Sequence, residues 1–424
     1  MSDYLPEEVL IKIMTKLPPK SLVRFRCVSK SWNSIITSPF FISIHTQQAS
    51  LSESQIIVRR YSKAQNSEVY SVHHDDKHFS DEKSIQIEYP FRDYTRFYYR
   101  IVGSSNGVLC LLDDLFGQAY SIVLWNPTIK RKLTLPMPEE NVASHVMFVL
   151  GFGFDVQNND YKVVRICYIQ EDYEYLVPPA VEVYAVKTGS WRTFNGEVPK
   201  NCVVEYFWSQ VVIYGSVHWV AYRNMGKHDK VENIIMLFNL SQEVFDEMEL
   251  PNPLKDELPI NLNVVSLEGS LAVVQYDERV GSKSCCIWVM KKYGDVESWS
   301  KRYYVDLEGL GLILGFRANG DVLLTARNRG LLSYDHIMGN SKDLGIFGTK
   351  DSFYVGPYCE SLGLLVEGKE ARERVPSDSD SDSECESECE SSVEDDEDRF
   401  GDVEKSEFRM QHSMFQYLSA LLKR

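Results

Sequence analysis

The sequence predicts a mainly β protein: three short N-terminal helices, then a ring of about six β blades, then an acidic tail that stays disordered. Three observations predict it. Apolar residues recur at helical spacing through the first forty residues, strand-like segments with turn glycines repeat about every fifty residues, and a late segment is almost devoid of large apolar side chains.

Composition sets the outer limits. With 424 residues, 44% hydrophobic and 12% aromatic, the chain can bury a large core and form more than one structural unit. It has no uncharged apolar run of about 18 residues, the length that crosses a bilayer. Its start, MSDYLPEEVL, carries acid where a secretory signal carries base. These features predict a protein of the cytoplasm, the nucleus or both, with no membrane partner. The nine cysteines are scattered and form no C-x-x-C, which suggests neither a zinc ribbon nor a disulfide framework. Net charge is −16, and twelve Asp or Glu with no Lys or Arg lie between Ser377 and Asp398. The remaining −4 offers no general basic face for nucleic acid.

The first helix begins near Pro6, with Asp3 in position to cap it and Glu7 and Glu8 in its first turn, where acid complements the helix dipole. Val9, Leu10, Ile13 and Leu17 give it an apolar face. Pro18-Pro19 ends that helix and can start the next. Leu22, Phe25, Val28, Trp32, Ile35 and Ile36 then continue the apolar pattern, with Arg24, Arg26 and Lys30 between them. A unit of about forty residues cannot bury this many large side chains within itself. Part of the stripe faces either the domain that follows or another protein.

From about 50 to 368 the chain is repetitive. SSNGVLCLLDD with IVLWNPTIKRKLTLP, and IYGSVHWVAY with IIMLFNLSQEVFDEMELP, each run turn glycine, strand, loop, strand, polar turn and third strand. Gly107, Tyr161, Gly215, Gly269 and Gly320 mark equivalent points, separated by 54, 54, 54 and 51 residues. A period near fifty with several strands per unit is that of a kelch-like β-propeller. Ile56 to Tyr89 would supply an early, divergent blade and Tyr354 to Val366 would return to close the ring; an open pair of β-sandwiches is the alternative. Trp125, Trp191, Trp208, Trp219, Trp288 and Trp299 are expected to fill blade interiors.

Residues 369–402 include SDSDSDSECESECESSVEDDED, which can bury nothing to offset chain entropy. Seven of its serines (377, 379, 381, 383, 387, 391 and 392) have Asp or Glu three positions on, the pattern acidophilic kinases prefer. The segment reads equally as a solubilising tail. In 403–424, Phe408, Phe415, Leu418 and Leu422 fall on one face of a short amphipathic helix.

Catalytic signatures are missing from the sequence. The run His73-His74-Asp75-Asp76-Lys77-His78 has metal-ligating residue types, but neighbours in a loop rarely converge on one ion and no distant matching pair accompanies them. GFGFD and GLGLILG lack the strand and helix context of a phosphate cradle. There is no G-x-S-x-G, H-E-x-x-H or P-loop lysine motif.

LPEEVLIKIMTKLPPKSLVRFRCVSKSWNSII resembles the F-box of plant F-box proteins. In that family the helices bind the Skp-type adaptor of an SCF ubiquitin ligase and, through it, cullin. By matching position the resemblance implies an adaptor-binding surface or its supporting core at Leu5, Pro6, Val9, Leu10, Ile13, Leu17, Pro18, Leu22, Val23, Val28 and Trp32, within an F-box at 1–45. GSSNGVLCL, LWNPTIKRKLTLP, GFGFDVQNNDYKVVRI, VEVYAVKTGSWR, GSVHWVA, IWVMKKYGDVESWSKRY and NGDVLL resemble the F-box-associated domain of plant F-box/kelch-repeat proteins, including S-locus F-box proteins.

The resemblance implies a non-catalytic substrate receptor without cofactor, which brings a target protein to the ligase for ubiquitination and degradation. The target is not named by it. A pollen S-locus protein recognising a self-incompatibility ribonuclease, and a receptor for defence or developmental regulators, are the specialisations that fit; the acidic tail departs from the usual short C-terminus of both. A propeller enzyme with a helical N-terminus, or an F-box scaffold acting outside a ligase, are readings of a different class. The loops expected to meet the target are Asp113 to Ala119, Glu171 to Pro179, Met225 to Val231 and Asp277 to Ser284, which are long, polar and differ between repeats.

Overall fold

A computed structural model describes residues 5–50, 54–65, 67–76, 79, 84–88, 99–113, 121–137, 146–171, 174–175, 177–204, 209–224, 231–277, 284–307, 310–326, 330–349 and 352–365. Four helices come first, one more than the sequence predicts. Helix α1 (Glu7–Met14) starts after Pro6, which takes the N-cap position; Asp3, the expected cap, lies outside the described residues. In α2 (Pro19–Phe25) Pro19 fills the first turn, where its missing N–H costs no hydrogen bond. Helix α3 (Lys30–Ile36) is capped by the Ser29 hydroxyl, which accepts from the Trp32 amide at 3.1 Å. The additional helix, α4 (Pro39–Ser50), contains no charged residue, and its run of Phe and Ile carries no clear helical stripe. It starts where the Ser38 hydroxyl accepts from the Phe41 amide at 3.2 Å.

The rest is a ring of six antiparallel sheets. Blade 1 holds β1 (Gln55–Ser62), β2 (Ser67–His74) and β3 (Ile85–Ile87); blade 2 holds β4 (Arg100–Ser105), β5 (Val108–Asp113), β6 (Ser121–Asn126) and β7 (Arg131–Thr134). Blade 3 comprises β8 (Val146–Asp155), β9 (Asp160–Glu171), β10 (Glu174–Tyr175), β11 (Ala180–Ala185) and β12 (Ser190–Thr193). Blade 4 comprises β13 (Cys202–Val203), β14 (Val211–Ile213), β15 (Ser216–Asn224), β16 (Val231–Asn239) and β17 (Val244–Glu249). Blade 5 has β18 (Leu262–Leu267), β19 (Ser270–Asp277), β20 (Ser284–Met290) and β21 (Trp299–Asp306). Blade 6 has β22 (Leu310–Phe316), β23 (Val322–Ala326), β24 (Gly330–Asp335) and β25 (Asn340–Phe347). The last strand, β26 (Tyr354–Tyr358), returns to pair with β1 and completes blade 1.

Inner strands of neighbouring blades meet around the centre. Contacts run from β26 to β4, β8, β15, β18 and β22, and from β22 back to β26, so the ring is closed. The expected closure by the segment from Tyr354 is present, as are six blades, and the sandwich alternative is excluded. The sequence period corresponds to the hairpin between the first and second strands of blades 2 to 6. Asn106–Gly107, Tyr214–Gly215 and Glu268–Gly269 all have both residues at positive φ, the two-residue turn that suits strand twist. At Gly107 a side chain is excluded twice over, because an added Cβ would also lie 2.4 Å from the Cys359 carbonyl.

Blades bury their faces against one another. Ile57, Tyr70, Leu109 and Trp125 fill the seam between blades 1 and 2, and Ile56, Val58, Leu323 and Ile346 fill that between blades 6 and 1. Trp125, Trp219 and Trp299 are buried, as expected; Trp191 and Trp288 are half-buried, and Trp208 lies outside the described residues. Several indoles stitch neighbouring blades. Trp219 donates to the Leu150 carbonyl at 3.3 Å, Trp191 to Pro136 at 2.7 Å and Trp299 to Glu249 at 3.2 Å.

A buried ion pair pins the closing strand. Arg59 meets Glu68 at 2.7 Å with both side chains almost wholly enclosed, and the same guanidinium donates to the carbonyls of Ser352 and Tyr99 at 3.0 Å. Arg59→Ala would leave the carboxylate uncompensated, with an expected loss of about 3–5 kcal/mol, read as a lower urea midpoint. His218 is also fully buried, its Nε2 2.8 Å from the Tyr293 hydroxyl, and burial lowers its pKa to about 4. The unfolded value is about 6.5, so the unfolded chain takes up this proton first. The His218 contribution is therefore intact above about pH 6.5 and lost progressively as pH falls toward 4. His218→Gln should flatten the slope of unfolding free energy against pH in that window, removing up to about 3 kcal/mol of acid destabilisation.

Candidate functional site

The four helices share one cluster with the C-terminal end of the ring. Met14, Leu22, Ile35, Ile36 and Phe41 pack with Leu362 and Leu365, and Ile129 of blade 2 lies at its edge. Phe25 and Trp32 meet edge to face at 5.7 Å beside it. His45 on α4 donates from Nε2 to the Leu17 carbonyl at 2.9 Å, tying the end of α1 to α4. Burial lowers the His45 pKa, against the hydrogen bond to Leu17 and the charge of Glu360, which act the other way.

Beneath the helices, Asn126 organises the platform. Its side-chain amide donates to the carbonyls of Ser361 at 3.1 Å and Gly363 at 2.8 Å, while its oxygen accepts from the Thr128 amide at 3.0 Å. The Thr128 hydroxyl meets the Tyr358 hydroxyl at 2.6 Å. An asparagine at the end of a third strand thus holds both its own turn and the segment after β26. Asn239 and Asp335 end third strands in the same way, each accepting from two amides of its own turn.

Docking on the ring divides the residues singled out by sequence. Leu22 is fully buried; Leu10, Leu17, Val23 and Trp32 are half-buried in the supporting layer. Leu5, Pro6, Val9, Ile13, Pro18 and Val28 are exposed. Leu5, Val9 and Ile13, four apart, are 54%, 39% and 47% exposed, and Val28 is 60% exposed. They form an uncovered apolar stripe on helices whose other face is anchored. Phe40 at the start of α4 is 65% exposed and absent from the set inferred by sequence, which did not extend to this helix.

The expected target loops leave from the other face of the ring. In an antiparallel blade, hairpins joining strands one to two and three to four lie at one end, and the two-to-three connection lies at the other. Gly107 and Ile129, in the first and second kinds of hairpin of blade 2, flank the C-terminal segment on which the helices sit. The segments Asp113 to Ala119, Glu171 to Pro179, Met225 to Val231 and Asp277 to Ser284 each join second to third strands, in blades 2, 3, 4 and 5. Most of their residues lie outside the described ones, but the strands that carry them end on a common face.

Chemistry elsewhere is engaged in structure. His73 sits 2.8 Å from Ser71 and stacks on Phe79, enclosed in blade 1; Asp75 accepts from Arg317 at 2.8 Å and Asp76 from the Phe79 amide at 2.9 Å. Lys77 and His78 lie outside the described residues. Among the described residues no three His, Cys, Asp or Glu side chains gather as a metal site, and no helix is long and apolar enough to cross a membrane. Burial pushes the Cys285 thiol up to about 12, which keeps it protonated and unreactive near neutral pH. A groove of about 560 Å³ opens between blades 5 and 6. Its Arg302 and Glu268 pair at 3.0 Å, and its Tyr303 and His336 rings meet at 3.8 Å.

Comparisons with known proteins agree with this architecture. Residues 60–353 match the F-box associated beta propeller domain and residues 3–43 match the F-box domain. An F-box/kelch-repeat protein of Arabidopsis thaliana is 29% identical over 309 residues, covering 70% of this chain and 78% of the relative. Another Arabidopsis thaliana F-box protein is 27% identical over 407 residues, covering 85% and 92% respectively.

The two sides of the helices should separate in mutagenesis. Leu22→Ala opens a cavity at the junction and is expected to cost about 2–5 kcal/mol, read as faster amide hydrogen exchange across residues 5–50. Val9→Ala and Ile13→Ala, on the exposed stripe, should change stability by no more than about 0.5 kcal/mol.

Proposed function

The chain belongs to the plant F-box proteins that carry an F-box-associated β-propeller, and from that premise we propose that it is the substrate receptor of an SCF-type ubiquitin ligase. The helices, within residues 1–45, bind a Skp-type adaptor and through it cullin. The propeller, within 50–368, binds a target protein on the face from which the second-to-third strand loops leave. Of the eleven residues inferred from sequence, Leu5, Pro6, Val9, Ile13, Pro18 and Val28 make the contact; Leu10, Leu17, Leu22, Val23 and Trp32 support it. The observation that carries the reading is the stripe of Leu5, Val9 and Ile13, left uncovered on helices fixed to a closed ring.

No active-site residue is needed for this role. The assembly holds the target beside a ubiquitin-charged conjugating enzyme, and the rate gain comes from proximity. Ubiquitination then commits the target to degradation, in the cytoplasm or the nucleus. An aspartate on the stripe must be desolvated on binding, a cost with no compensating partner.

Co-purification of the full chain with a Skp-type adaptor and cullin tests the proposal. The wild type and Val156→Asp, a change at an exposed apolar residue of blade 3, are expected to capture both. Val9→Asp and Ile13→Asp are expected to lose capture while keeping the wild-type circular dichroism spectrum. Failure of the folded wild type to capture any such adaptor would remove the reading.

A further inference from the structure

Charge divides the chain in a way the adaptor does not require. Residues 5–50 hold six cations, Lys12, Lys16, Lys20, Arg24, Arg26 and Lys30, against two acids, Glu7 and Glu8, a net of +4. Residues 51–365 hold 31 Lys or Arg against 40 Asp or Glu, a net of −9. The helices are thus a positive unit mounted on a negative ring. Arg26 is engaged, donating to Asn33 at 2.9 Å. Lys12, Lys16, Lys20, Arg24 and Lys30 are all exposed, and among the described residues none of them makes an ion pair. Lys20 and Arg24 are four apart along α2, as Lys12 and Lys16 are along α1 and the turn after it, so each pair shares a helical face.

The strongest complementary charge belongs to the same chain. Residues 377–398 carry twelve acids and no cation. The last described residue, Leu365, is itself packed into the cluster with Leu22, Ile36 and Phe41, so the chain leaves the ring at the base of the helices. Between them lie residues 366–376, eleven positions whose three acids and three cations cancel. From Leu365 to Ser377 an extended chain reaches about 40 Å, and a random one averages roughly 20 Å. Helix α1, at eight residues, is only about 12 Å long. The acidic segment is therefore confined near the cationic helices at high effective concentration, while the propeller repels it.

We propose that residues 377–398 dock on the cationic surface of the F-box helices, made by Lys12, Lys16, Lys20, Arg24 and Lys30. The contact is electrostatic and intramolecular. Lys12 and Lys16 flank Ile13 in the sequence, so the docked segment lies across the exposed apolar stripe and competes with any partner that binds there. That last consequence rests on the function proposed above; the contact itself does not. Phosphorylation of the serines in the segment adds charge of the same sign and strengthens it.

A zero-length carbodiimide cross-linker, which joins a carboxylate to an amine only in ion-pair contact, tests this on the full wild-type chain. Peptide mapping of the monomer by mass spectrometry gives the partners, and the exposed pair Lys130 and Glu88, at 2.7 Å, serves as the internal control for coupling. Carboxylates of 377–398 are expected to join Lys12, Lys16, Lys20 and Lys30 several-fold more often than the exposed propeller lysines Lys291, Lys292, Lys301 and Lys342. These links should fall sharply between low salt and 0.5 M salt, where screening shortens to about 4 Å. The proposal is overturned if tail links spread over the propeller lysines in proportion to exposure. It is equally overturned if they occur only in covalent dimers, or are absent while Lys130 and Glu88 couple. None of these outcomes depends on an adaptor, so the contact and the ligase reading stand or fall separately.

Discussion

Closure of the ring is the constraint on which the rest of the structure depends. A blade buries its two faces only against its neighbours, so a row of blades left open would expose two apolar faces. The chain closes the row by pairing β26 with β1, so that residues about three hundred apart share one sheet. Closure also determines where the chain ends. After β26 the backbone crosses the blade 2 hairpins, is held by Asn126, and presents Leu362 and Leu365 to the helices. One short segment both seals the ring and forms the floor of the N-terminal module. The close approach of Gly363 to the Tyr161 hydroxyl, where an added Cβ would lie at 2.3 Å, belongs to the same packing.

Several buried ionic groups reach across the boundaries between blades. Arg59 with Glu68 also bonds to the carbonyls of Ser352, just before the closing strand, and of Tyr99, just before blade 2; Arg317 joins blade 6 to Asp75 of blade 1; and Lys162 of blade 3 reaches Glu243 and the Leu240 carbonyl of blade 4. Burial would raise the Asp155 carboxyl, but hydrogen bonds from Lys162, Ser241 and Asn158 hold it well below its usual range. Such pairs add little net stability relative to apolar packing, because desolvation offsets their attraction. They do penalise misalignment strongly. In a ring of similar blades, a seam that slips leaves a buried charge without its partner, so these groups favour one register over its near equivalents.

Local periodicities were legible in the sequence, and long-range pairings were not. The spacing of Gly107, Gly215 and Gly269 is visible because one turn geometry demands a residue tolerant of positive φ at each repeat. Outer strands such as β7 and β12 are mostly exposed and polar, so hydrophobic alternation does not mark them. Helix α4 was missed for a different reason: its apolar and polar residues do not sort by face, since Phe40 is exposed while His45 and Thr46 are buried. At the helical site, sequence identified which residues share faces but not which face the propeller occupies. Leu22 and Val9 look alike as apolar positions in a stripe; only the return of Leu362 and Leu365 separates them.

The same geometry gives the molecule two ends. Blade strands here run mostly six to nine residues, about 20–30 Å at the rise of an extended strand. That thickness separates the face bearing the helices from the face where the second-to-third strand loops leave. Because the inner strands of each blade contact those of the next around a complete circle, the blades cannot slide or splay without breaking several seams at once. A closed ring therefore acts as a stiff spacer, and loop variation on one face leaves the mounting of the helices on the other unchanged. Stiffness matters for a receptor whose contribution is position: a hinge between its two ends would spread a bound target over many orientations and dilute the proximity that assembly supplies. The anchoring of four short helices by Leu362, Leu365 and Ile129 is what such a role requires.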